Sequence, residues 1–116
     1  MATREDAYLL VQLLRWGSES GVDQAMRTIF SPEFDPETEP MESPTVARVL
    51  AFGEAVGTLV KHDLLDAELV WDFLWVEGIW TKVSRHALAA REAEHEPRLY
   101  ENFEALVAKT ARVGAQ

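Results

Sequence analysis

The sequence predicts an all-α fold, a compact bundle of about five helices, on three observations. Apolar residues recur at i, i+3, i+4 and i+7 through most of the chain, the period of a helix with one buried face. No stretch of useful length alternates apolar with polar residues, and no Asn-Gly or Asp-Gly pair marks a hairpin. Residues that open helices, Thr3, Ser43 with Pro44, and Pro97, stand just ahead of the periodic segments.

The first helix starts at Thr3, whose hydroxyl and the carboxylate of Asp6 approximate a capping box. Leu9, Leu10, Leu13, Leu14 and Trp16 form its apolar face, and Gly17 offers a stop. Val22, Ala25, Met26, Ile29 and Phe30 predict a short second helix from about Gly21 to Phe30, with Ser20 as its cap. Prolines 32, 36, 40 and 44 then remove N–H donors and hold their predecessors extended, so 31–44 reads as an exposed loop. It carries Glu33, Asp35, Glu37, Glu39 and Glu42 with no basic residue, and Phe34 and Met41 are placed to pin it to the body.

A third helix begins at Ser43-Pro44. Gly53 and Gly57 lie within its apolar face, where each costs roughly 1 kcal/mol in helix propensity relative to alanine. Another helix must approach closely there to compensate. After a turn at "KHDLLDAEL", with Asp63 or Asp66 as cap, the segment "LVWDFLWVEGIW" at 69–80 holds three of the four tryptophans. At about 100° per residue, Leu69, Phe73, Val76, Trp80, Val83 and Ala87 share one stripe. Trp71, Trp75 and Ile79 fall on another side, so this fourth helix, reaching about Glu92 and bent near Gly78, is apolar nearly all round and needs cover on more than one face. Pro97 opens the last helix, with Leu99, Phe103, Leu106, Val107 and Val113 inward, and Gly114 ends it.

The 116 residues suffice for a single domain, 1–116, and 47% hydrophobic residues give it a sizeable core. Twenty Asp and Glu against eleven Lys and Arg, the basic residues scattered, disfavour nucleic acid as a partner. No apolar run reaches eighteen residues, and Arg4, Glu5 and Asp6 precede the first apolar stretch, unlike a signal peptide. With no cysteine, these features lead to the expectation of a cytoplasmic protein without membrane insertion.

Signals for chemistry are thin. Glu92 and His95 have the Glu-x-x-His spacing that directs a carboxylate and an imidazole at one metal, but a carboxylate-bridged site needs a second copy, and Leu59 and Val83 stand three residues ahead of His62 and His86. His62, Asp63 and Asp66 suit the dipoles of two helix ends better than acid–base work. No nucleophile elbow, P-loop or dinucleotide fingerprint occurs. Asp72 and Glu77, set among aromatics, call for a cation from Arg48, Arg85 or Arg98. No catalytic residue, cofactor or metal set is assigned.

"VLAFGEAVGTLVKHDLLDAELVWDFLW" and "RLYENFEALV" resemble a group of small bacterial helical proteins classed as a domain of unknown function. The resemblance covers roughly residues 46–108 and implies a helical fold, with no reaction or active site. The functional expectation is a non-catalytic helical interaction module whose partner is a protein, a second copy of the chain included, meeting it at Trp71, Trp75 and Ile79. The alternative is a small-molecule or metal-dependent enzyme or sensor with a pocket lined by Trp71, Trp75 and Tyr100.

Overall fold

The computed structural model describes residues 1–115 and holds six α-helices and, among the described residues, no strand: α1 Arg4–Glu19, α2 Val22–Ile29, α3 Pro44–Lys61, α4 Ala67–Phe73, α5 Val76–Ala93 and α6 Glu101–Gly114. The extra helix arises because the Trp-rich segment is split in two. The α3–α6 pair forms the centre, α2 packs on α3, α4 and α5 pack on α6, and α1 lies at the edge chiefly against α2.

Each boundary has a local cause. Thr3 accepts the Asp6 N–H at 3.2 Å while Asp6 Oδ2 accepts the Thr3 N–H at 2.7 Å, the reciprocal capping box. Asp6 Oδ1 also takes the Asp66 N–H at 3.1 Å, so the cap of α1 holds the start of α4 as well. The α1 helix runs past Gly17, which is buried against Phe52, to Glu19. The left-handed residue is Gly21, at φ 84°, and Ser20 donates to the Trp16 carbonyl at 2.7 Å instead of capping α2. The start of α3 at Ser43-Pro44 matches the expectation, with Ser43 Oγ accepting the Val46 N–H at 3.2 Å.

The three hydrogen bonds of Asp6, first of all that from the Thr3 hydroxyl, hold its carboxyl below the ordinary range. A carboxylate with a lowered folded pKa stabilises the fold above its unfolded value of about 3.9 and loses that contribution as pH falls further. Acid titration of helical content should show α1 loosening in that window, and Asp6→Asn should remove this pH dependence; an unchanged acid limb in the variant would contradict the assignment.

The segment between α2 and α3 is the longest connection, as expected of the proline-rich acidic stretch. Phe34 is buried beneath it, but Met41 is 44% exposed and does not pin it. The remaining ties come from α5: Arg85 Nη1 donates to the Pro36 carbonyl at 3.1 Å, and His86 Nε2 lies 3.1 Å from the Glu39 carbonyl. His86 is buried.

The predicted stripe through 69–87 is corrected by the break between α4 and α5. Leu74 and Trp75 are non-helical, with ψ 124° and 76°, and the Val76 N–H turns back to the Leu74 carbonyl at 2.9 Å. The break resets the phase of α4 relative to α5, so Val70 reaches the core that Val76, Ile79, Val83 and Ala87 reach from α5, while Leu69, Phe73 and Trp80 are half-buried. A single straight helix would have left Val70 pointing away. Packing overrides local propensity here, for neither residue of the break is glycine or proline.

The last helix begins at Glu101, four residues beyond Pro97, because Tyr100 takes a left-handed conformation at φ 61°. Phe103, Leu106 and Thr110 are its buried residues.

Candidate functional site

The break leaves Trp71 near the end of α4 and Trp75 at the joint, 49% and 69% exposed. Phe30, the residue after α2, stacks on Trp75 with ring centroids 5.8 Å apart and planes 14° from parallel. The Trp71 indole lies against Gly114 of α6. Between the indoles is an open cavity of about 500 Å³, floored by Thr110 and Ala111 of α6 and bordered by Asp72 and Glu77. Thr110 is already engaged, donating to the Leu106 carbonyl at 2.9 Å. The cavity thus offers aromatic faces and two carboxylates, with no converging set of donors.

Of the three residues expected to form this surface, Trp71 and Trp75 are exposed, whereas Ile79 is 3% exposed and belongs to the core. It lies on the continuous helix α5, three residues after Val76 and four before Val83, and shares their buried face. Phe30 takes its place as the third aromatic member, although helical spacing assigned it to the buried face of α2. Asp72 and Glu77 stay exposed and make no ion pair among the described residues: Arg85 goes to the acidic loop, 3.5 Å from Glu37, and Arg98 pairs with Glu101 at 3.0 Å.

Tyr100 is elsewhere. It borders a separate cavity of about 120 Å³ with His86, Ser43 and Met41, so a single Trp71–Trp75–Tyr100 pocket does not form. Burial, and secondarily the charge of Glu54, pushes the Tyr100 hydroxyl above its ordinary pKa. Glu92 and His95 lie on the exposed surface, His95 in a left-handed turn at φ 53°, and among the described residues no three His, Cys, Asp or Glu side chains gather as a metal site.

The polar group that sequence reasoning missed is Glu54. Its carboxylate accepts the backbone N–H groups of Asn102 and Phe103, both at 3.0 Å, and the Asn102 side-chain amide at 2.8 Å. It thereby caps α6 from a different helix, where Tyr100 supplies no side-chain cap. On either side of it, Gly53 lies under the Phe103 ring and Gly57 under the Asn102 carbonyl. The expected close helix contact at Gly53 and Gly57 is therefore the seat of α6. A charged residue between two glycines on an apolar face was the available signal.

No described helix is long and apolar enough to cross a membrane. No curated protein and no solved structure matches the chain. A family model described as a domain of unknown function matches residues 4–110, which include all of α1 to α5, with the glycine seat of α3 and the exposed Trp71 and Trp75, and most of α6; the chain belongs to that family, DUF4760.

Proposed function

We propose that the protein is a non-catalytic interaction module of the bacterial cytoplasm that presents the Phe30–Trp71–Trp75 surface to a protein partner and also self-associates. The observation that carries this reading is aromatic surface left bare by a chain that has otherwise buried a continuous core. Tryptophan is the residue type most enriched at interface hot spots, where a large rigid ring loses little entropy on docking. The polar groups best placed for chemistry are committed to architecture: Asp6 and Glu54 cap helices, and His86 ties down the acidic loop. Sedimentation velocity across a concentration series tests the self-association. Mass rising between about 1 and 100 µM, the range of weak dimers, is expected, and a monomer throughout would contradict it.

The cavity between the indoles supports a second reading, a sensor for a flat organic ligand held on the rings. That reading requires Trp fluorescence to respond to the ligand at a protein concentration where the mass is monomeric.

A further inference from the structure

Among the helices, α1 carries the longest bare apolar edge. Its buried side is Leu13 and Gly17, with the cap residue Asp6. Arg4, Ala7, Val11, Leu14 and Ser18, spaced 3 and 4 residues apart, are all exposed, and Tyr8 lies beside them. This is the a/d spacing of a helix seam that expects a facing helix. Tyr8, Val11 and Leu14 are 69%, 60% and 49% exposed, and no described helix covers them.

We infer that a second copy of the chain covers this seam, with the two α1 helices antiparallel about a two-fold axis near Val11. The inference rests on the self-association proposed above and names the surface responsible. Charge decides both the surface and the direction. The chain has a net charge of -9, yet none of the five seam positions is acidic. Asp6 is buried as the cap, Glu19 is held by Arg15 at 3.0 Å, and Glu5 projects to another side of the helix. A two-fold contact through the aromatic groove would instead set Asp72 and Glu77 against their own copies, with no lysine or arginine lining the groove.

Parallel pairing of α1 would place Arg4 on Arg4 and Arg15 on Arg15. Antiparallel pairing sets Val11 on Val11, Tyr8 on Leu14, Ala7 on Arg15, and Arg4 beside Ser18 and Glu19, and it also opposes the helix dipoles. Sixteen residues of helix paired in this way bury on the order of 1,000 Å² over both copies, the lower bound for a specific interface. The expected dimer is therefore weak, and the aromatic groove remains free for a different partner.

The test is sedimentation with far-UV circular dichroism. Wild type should dimerise with a Kd of about 10 µM, and Val11→Asp, which opposes two carboxylates at the axis, should weaken dimerisation at least about 30-fold with helical content unchanged. An equimolar mixture of Val11→Asp and Val11→Lys should recover a dimer that neither forms alone. The chain has no cysteine, so a mixture of Tyr8→Cys and Leu14→Cys reports direction: under mild oxidation the mixed 8–14 disulfide should exceed the 8–8 and 14–14 species. A monomeric wild type would end the self-association reading and this one with it. A dimer that survives Val11→Asp but is lost in Trp71→Gln/Trp75→Gln would keep self-association and overturn the α1 seam. Loss of helix in Val11→Asp would also overturn it, by showing the face to be internal, and a dominant 8–8 product would overturn the antiparallel pairing.

Discussion

Gly57→Ala is expected to destabilise the protein by about 3 kcal/mol, although helix propensity alone favours alanine by roughly 1 kcal/mol. A Cβ at position 57 would fall inside the van der Waals envelope of the Asn102 carbonyl, which is backbone and has no rotamer through which to move away. Relief requires α6 to lift from α3, which stretches the Glu54 hydrogen bonds and unseats Phe103. Urea unfolding followed by circular dichroism measures the change as a shift in midpoint at constant slope. A neutral or stabilising result would show that the two helices are not in contact there.

Glu54→Ala should cost a similar amount, about 3 kcal/mol, because hydrogen bonds to a charged group each contribute about 1.5–3 kcal/mol and two backbone donors lose their partner. Water can reach part of this half-buried site, which keeps the cost below the sum of the bonds. Glu54→Gln, able to accept but uncharged, should lie between wild type and alanine. Gly57→Ala and Glu54→Ala act on one contact, so the double variant should lose less than the sum of the singles. Strict additivity would mean that the glycine seat and the carboxylate cap are independent.

What was legible in the sequence was local. Thr3 with Asp6, and Ser43 with Pro44, identify two helix starts because capping involves groups three residues apart or fewer. The prolines mark the loop for the same reason. Gly53 and Gly57 were legible one step further, as a cost that only a neighbouring helix repays, but the neighbour's identity was not. Two features escaped. The joint at Leu74 and Trp75 has no local breaker, and Val70 reaches the core together with Val76 and Ile79 only because the helical phase is reset there. The delayed start of α6 depends on Glu54, nearly fifty residues upstream. For the candidate surface, composition identified Trp71 and Trp75, whereas Ile79 shares the buried face of α5 with Val76 and Val83, and Phe30 stands exposed where it stacks on Trp75 at the joint. The bare seam of α1 depends on which side faces α2, and periodicity gave Leu14 and Trp16 to the buried side although they are 49% and 41% exposed.

If the aromatic surface serves a partner and not the fold, as proposed, the difference appears most directly in the unfolding free energy of Trp71→Gln/Trp75→Gln beside that of Phe103→Ala in the same urea titration. Phe103 is 1% exposed and meets Trp80 edge to face at 5.0 Å, so its truncation should cost about 3–5 kcal/mol. The double tryptophan variant removes more aromatic surface, but from the exterior, and should keep wild-type helical content while losing about 2 kcal/mol or less, mainly the stack on Phe30 and the contact with Gly114. A double variant that loses as much as Phe103→Ala, or that unfolds, would show Trp71 and Trp75 to be core and contradict the interaction surface.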